Sequence, residues 1–313
     1  MKYLSNNKIF FFFIFSILFR ATCSFSQSLE NKQVDDILNG AIDIHIHSFP
    51  DVSKRSVTDF EVAELAQKKG LKAIVIKCHV SSTVGRAVLV NLKSEKIKVF
   101  GGIALNKAVG GINPDAVEAM YKMSPEYGKF VWFPTIDAAF YNQSGEGLTV
   151  LQDNVLNTQT IQVLKIIARE NLILATGHLS PKEILLLVPE AKKMGVNKIL
   201  ITHATGNAPG LSIDQMSDLV EMGAVLEFTY LSFLTSQKDP VKSKGATLDE
   251  MARAIKQIGA KNFILSSDLG QVGNPPPPEG LKIFVQLLMA KGISLNEINL
   301  MIKTNPGKLL DIK

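Results

Sequence analysis

Five histidines and one aspartate carry the chemistry that this sequence suggests. The opening pair, His45 and His47, stands in Ile42-Asp43-Ile44-His45-Ile46-His47, an alternating apolar segment. Successive side chains of a strand face opposite sides. Asp43, His45 and His47 are therefore expected on one face, with Ile42, Ile44 and Ile46 on the other. Two imidazoles so spaced converge on one point, and imidazole is the commonest protein metal ligand. An isolated His-x-His is more often a hydrogen-bonded or solvated pair. The other three histidines decide the matter: His79, His178 and His203 each close a separate apolar run, and so does Asp268.

Those runs cover residues 41–47, 71–79, 97–105, 130–134, 172–178, 198–203, 224–229 and 262–268, and a helical segment follows each. Stretches such as AIVI, LILA, KILI and FILS are apolar throughout, as strands buried on both faces must be. Regular alternation of strand and helix predicts a parallel α/β architecture, and eight units predict one closed (β/α)8 TIM barrel. No Gly-x-Gly-x-x-Gly follows the first strand, which argues against a dinucleotide fold. Helix starts are marked by Thr58, Ser212 and the pairs Ser180/Glu183, Thr247/Glu250 and Ser294/Glu297, the pairs having capping-box spacing. The long connection 137–156 is read as an active-site loop.

In such a barrel the C-terminal strand ends share one face, where active sites lie. His45 and His47 from strand one, His79 from strand two, His178 from strand five, His203 from strand six and Asp268 from strand eight would meet there. Imidazoles plus a carboxylate suit zinc with an open coordination position. Other divalent metals stay open, because availability often decides between them. A carboxylate beside metal-activated water can take its proton, so Asp268 is read as ligand and general base, with His203 as a second catalytic group. The plain alternative for Asp268 is a cap on the following turn. Lys77 faces inward with Val75 and His79. It would bind an anionic substrate, bridge two ions as a carbamate, or rest as an ammonium beside a carboxylate such as Asp43. His79, Arg55 and Arg86 are expected to contact substrate, the arginines from the loops after strands one and two. Cys78 is read as a small buried apolar side chain.

The chain has 313 residues and begins with a leader-like stretch. Lys2 and Lys8 precede an apolar run over residues 9–18, and Ser24-Phe25-Ser26 offers the small residues of a cleavage site. The run is short for a bilayer span, which needs about 20 residues. Residues 1–26 are thus expected to be a signal peptide and 27–313 a single barrel domain, periplasmic or secreted. Lys2, Lys8 and Arg20 leave with the leader while no acid does, so much of the +5 balance belongs to it. The mature charge gives no footprint for nucleic acid. Cys23 leaves too, so Cys78 has no partner for an internal disulfide.

At these residues the sequence resembles the amidohydrolase superfamily of metal-dependent hydrolases. His45-x-His47, His178, His203 and Asp268 match its motif in order, and Thr304-Asn305-Pro306-Gly307-Lys308-Leu309-Leu310 is similar to its closing helix. The segments IDIHIHSFPDV and AIVIKCH look like a functionally unassigned subgroup. The resemblance implies one or two divalent ions, zinc foremost, and hydrolysis of an amide, lactone or ester in a small molecule. One departure matters: strand four ends Trp132-Phe133-Pro134-Thr135, without the lysine or glutamate of many two-metal members. Lys77 would replace it, or the site holds one ion. The competing functions are a mononuclear non-oxidative decarboxylase, a His-x-His phosphoesterase, and a barrel that binds metal or ligand without turnover. The expected partner is a small-molecule substrate, with no nucleic acid and no membrane after signal cleavage. A homo-oligomer stays open.

Overall fold

The computed structural model describes residues 36–94, 96–142, 146–239 and 246–312. The expected signal peptide, residues 1–26, lies outside the described residues. Of the unit Met1–Leu38 only residues 36–38 are described, in turn conformation, and Asn39–Lys313 is the other unit. No helix among the described residues is long and apolar enough to cross a membrane.

Asn39–Lys313 is built on the eight expected parallel strands. They are β1 (Ile42–His47), β2 (Ala73–Lys77), β3 (Lys98–Ala104), β4 (Gly128–Trp132), β5 (Ile173–Ala175), β6 (Lys198–Ile201), β7 (Val225–Thr229) and β8 (Phe263–Ser266). They pair in sequence order around one sheet. Just beyond β8 the chain returns to β1: the Asp268 amide donates to the His45 carbonyl and the His47 amide to the Leu269 carbonyl, both at 2.8 Å. The barrel is thereby brought round to its first strand.

Inside, Ile42, Ile44, Val75, Phe100, Phe130 and Trp132 belong to one packed cluster, with Leu309 and Leu310 from the closing helix. Burying side chains of this size contributes roughly 1.5–3 kcal/mol each. Asn305 ties that helix to the barrel, donating to the carbonyls of Ala260 and Phe263 at 3.0 and 2.7 Å. The capping boxes at Thr58, Ser180, Ser212, Thr247 and Ser294 all form.

Three local features differ from the sequence-based expectation. The β1 register shifts between Asp43 and Ile46, so strict alternation fails. Ile42 and Ile44 point into the barrel interior, and yet His45 and His47 also reach the site, because the irregularity re-aims the strand end. Second, β2, β5, β6 and β8 stop short of His79, His178, His203 and Asp268. These residues open the following loops, with left-handed backbone at His203 (φ 27°) and Asp268 (φ 54°). Third, a helix over Tyr230–Lys238 follows β7 directly, ahead of the expected one at Leu248–Ile258. The loop 137–156 contains a short helix, Ala139–Asn142, and a ribbon of Leu151–Gln152 against Val155–Leu156. Asp153 and Asn154 both take positive φ at its turn, as two-residue hairpins require.

Candidate metal centre

Each site residue is placed by backbone that leaves its strand abruptly. Gly177, at φ 62°, turns the chain after β5, and a Cβ there would collide with the Phe133 carbonyl oxygen. That turn lets the His178 amide donate to the Pro134 carbonyl at 2.9 Å and swings the imidazole over the barrel mouth. Gly270 passes so close to the His47 carbonyl that only a glycine fits.

At the floor of the mouth lie His45, His47 and Asp268, which form a group with ligand atoms all within 4.8 Å of one another. Asp268 Oδ1 is 3.1 Å from His45 Nε2 and 3.2 Å from His47 Nε2. His45 Nδ1 meets both oxygens of Glu227, at 3.1 and 3.2 Å. A carboxylate accepts, so Nδ1 carries the proton and Nε2 keeps its lone pair. Lys77 Nζ donates to that same Nε2 at 3.0 Å. His45 Nε2 and Asp268 Oδ1 are thus two acceptors 3.1 Å apart, an arrangement a cation relieves. This chemistry fits a divalent ion. His47 is set differently. Arg55 Nη2 lies 3.3 Å from its Nδ1, and guanidinium only donates, which leaves the His47 proton on Nε2. An ion taking that Nε2 would require the proton on Nδ1 instead, which gives up the Arg55 contact while Arg55 keeps its ion pair with Asp51 (2.8 Å).

Above the floor is a cavity of about 190 Å³, lined by polar His47, His79, His178, His203 and Lys77 together with Ile136, Tyr141 and Leu231. The Tyr141 ring sits 4.6 Å from that of His178, and His178 sits 4.9 Å from His203. His178 Nδ1 is buried without a partner among the described residues, a further donor atom for an ion or substrate.

The expected site residues are therefore mostly together. His45, His47 and Asp268 converge, His178 and His203 stand beside them, and Arg55, Lys77 and His79 line the same cavity. Arg86 does not join them. Its guanidinium is held by Asp59 at 2.6 and 2.8 Å and by the Ser48 carbonyl at 3.0 Å, so it braces the loop after β1 and does not face the cavity. Asp43 is also elsewhere: Oδ1 accepts from the amides of His45 (3.2 Å) and Ser267 (3.1 Å) along the β1–β8 seam. Lys77 instead lies by His45, 5.5 Å from the Trp132 ring centre. Cys78 is buried and free, as expected.

Glu227 is the residue that sequence reasoning missed. Fully buried, it accepts from His45, from Ser266 Oγ at 2.5 Å and from the His203 amide at 3.0 Å. It was visible only as one acid within the apolar strand Val225–Thr229. Carboxylates behind a ligating histidine fix its tautomer, and losing one typically costs 10–100-fold in metal affinity. Glu227→Gln should therefore weaken zinc binding by about that factor in competition against a chromophoric chelator. An unchanged Kd would mean that Glu227 only fills space.

Charge states follow from burial. Desolvation pushes Asp268 up, but His45 and His47 outweigh it and hold the carboxyl well below its usual range. Burial likewise works against ionised Glu227, and His45 prevails. Burial lowers Lys77. It also lowers His47, to about 4, and depresses His79, His178 and His203. The unfolded chain would protonate these rings near pH 6.5 while the folded one resists, so stability should fall as pH drops below about 6.5. Asp43, raised by burial to about 7, works in reverse. Its folded form keeps a proton that the unfolded chain has lost, which favours the fold less as pH rises from about 4 to 7. One such group opposes four histidines. Metal-free protein should melt at a lower temperature at pH 5 than at pH 7, as read by calorimetry. The opposite order would refute this balance.

Comparison with known proteins matches residues 40–227 to a family described as a family of unknown function, DUF6282. A search of curated proteins finds no match. Similar solved structures include an amidohydrolase from Pseudomonas aeruginosa, at 12% identity and TM-score 0.61, covering 89% of this chain and 97% of that one. Another is a dihydroorotase, at 16% identity and TM-score 0.58, covering 88% and 70%. A third is an organophosphorus hydrolase from Deinococcus radiodurans, at 13% and 0.58, covering 88% and 93%. At such identities the likeness is one of fold. The chain belongs to the DUF6282 family and has the barrel fold of the amidohydrolases.

Proposed function

We propose that this protein is a divalent-metal-dependent hydrolase of a small molecule, cleaving an amide, lactone or ester. The observation that carries this reading is the convergence of His45 Nε2, His47 Nε2 and Asp268 Oδ1 beside a cavity, with Glu227 orienting His45 from behind. These three residues would hold the ion, with His178 and His203 beside them. Zinc is the ion proposed, and when bound it would supply Lewis acidity and a more acidic water. The chain supplies the rest. Asp268, ionised and at the cavity floor, takes the proton of the attacking water and returns it to the leaving group. Ile136, Tyr141 and Leu231 offer an apolar surface to the substrate. Arg55 and Lys77, in the same lining, hold anionic or carbonyl oxygen. The leader-like residues 1–26 support export to the periplasm or beyond.

The test is turnover of a panel of small esters, lactones and N-acyl amides by zinc-loaded protein. Activity on one class should vanish with a chelator and return with zinc. A fully loaded protein inert to all three classes would sink the hydrolytic reading.

A further inference from the structure

Asn106, behind the cavity wall, has only one possible orientation. Its Oδ1 accepts from the amides of Thr135 at 2.8 Å and Asp137 at 3.2 Å, and backbone amides only donate. Its Nδ2 must therefore be the atom facing the His79 carbonyl at 2.8 Å and Thr135 Oγ1 at 2.6 Å. Thr135 Oγ1 accepts there, so its own proton has to go elsewhere. The acceptor in reach, among the described residues, is His79 Nδ1 at 2.8 Å. Thr135 and Asn106 are both fully buried, so no bulk water competes for that proton. An Nδ1 that accepts carries no proton, and the His79 proton is then on Nε2. The ring lines the cavity, its centre 4.8 Å from that of His47 and 6.2 Å from that of His178. With Nδ1 turned to Thr135, the Nε2–H edge is left for the cavity.

We infer that His79 is a catalytic residue acting as a fixed neutral hydrogen-bond donor, presenting Nε2–H to the substrate oxygen on which negative charge develops, with Thr135 and Asn106 as the positioning residues that lock its tautomer. The inference rests on the hydrolytic reading above. As water adds, a bond forms between its oxygen and the carbonyl carbon, the π pair moves onto the carbonyl oxygen, and the water proton passes to Asp268. His79 keeps its own proton throughout and only donates a hydrogen bond to that oxygen. On collapse the pair returns, the leaving group departs with the old bond's electrons, and Asp268 protonates it. A donor locked beforehand needs no reorganisation during the reaction, and this is why such groups are effective.

The tautomer can be read in the resting protein by long-range proton–nitrogen NMR of histidine-labelled samples, without turnover. His79 should show a protonated Nε2 and a bare Nδ1. Thr135→Val should move population to the Nδ1–H form, while Thr135→Ser, which keeps the hydroxyl, should retain the wild-type pattern. Inorganic phosphate, a tetrahedral oxyanion, is the binding probe. It should shift the His79 Nε2–H signal and bind His79→Phe at least about tenfold more weakly, by calorimetry. A proton on Nδ1 in the wild type overturns the inference, and so does phosphate affinity that is absent or indifferent to His79. On a substrate from the hydrolysis panel, His79→Phe should lower kcat about 10²–10³-fold with KM nearly constant. An unchanged kcat would overturn it as well. An inert panel alongside the expected tautomer and phosphate response would fault the hydrolytic reading alone.

Discussion

His45→Ala/His47→Ala should bind no stoichiometric divalent ion and lose all metal-dependent activity. In the wild type three donor atoms meet at one point, two of them from these rings. Removing both leaves Asp268 as the single member of the group, and one carboxylate does not hold a transition-metal ion against solvent. Elemental analysis of protein purified without added metal, and again after zinc loading, reads the result. The double change also strips Glu227 of its His45 partner while Glu227 remains fully buried. Leaving a buried carboxylate short of a hydrogen-bond donor costs about 1–3 kcal/mol or more, so a lower melting temperature should accompany the metal loss. His47→Ala alone leaves the Glu227 contact intact, because His47 touches Arg55 and Asp268 instead. It should lose metal with less damage to stability, which separates loss of ligands from loss of fold. Full metal content in the double variant would place the ion elsewhere in the barrel.

The sequence alone revealed those parts of the molecule that depend on local rules. Parallel strands buried on both faces are uniformly apolar, so β2, β5, β6 and β8 were legible as AIVI, LILA, KILI and FILS. Capping boxes are closed within four residues, so Ser180/Glu183 and Thr247/Glu250 were legible too. The histidines were found because polar residues that interrupt the ends of such strands stand out. Contacts between distant residues were hidden. Glu227 reaches His45 across 182 positions, and an acid in VLEFT shows no partner when viewed alone. Arg86 resembled a substrate-binding arginine until Asp59, on the preceding helix, was seen to occupy it. The register shift in β1 arises in its pairing with β2 and leaves no mark on the period-2 pattern. His79 was visible as a strand-end residue. Its tautomer depends on Asn106 and Thr135, which come from two other loops.

Asp268→Asn should lower kcat on a hydrolysed substrate by about 10²–10⁴-fold, the usual contribution of a general base, with KM changed far less. Several observations support Asp268 as the proposed base. Its carboxylate sits at the cavity floor against His45 and His47. Those two rings hold it ionised far below neutral pH despite its burial. The other candidate acid, Glu227, is already engaged by His45, Ser266 and the His203 amide and does not line the cavity. Asparagine keeps the shape and one carbonyl oxygen while removing the charge and the basicity. Its backbone would hold, because asparagine tolerates the left-handed conformation (φ 54°) that Asp268 adopts. Metal affinity should weaken as well, since an amide oxygen is a poorer donor than a carboxylate. Turnover must therefore be measured at zinc concentrations shown by elemental analysis to fill the variant. If the filled variant still turns over at the wild-type rate, Asp268 serves only to bind the ion. The proton would then have to leave through His178 or His203, the neutral imidazoles beside it, and the pH dependence of kcat would follow a histidine instead of a carboxylate.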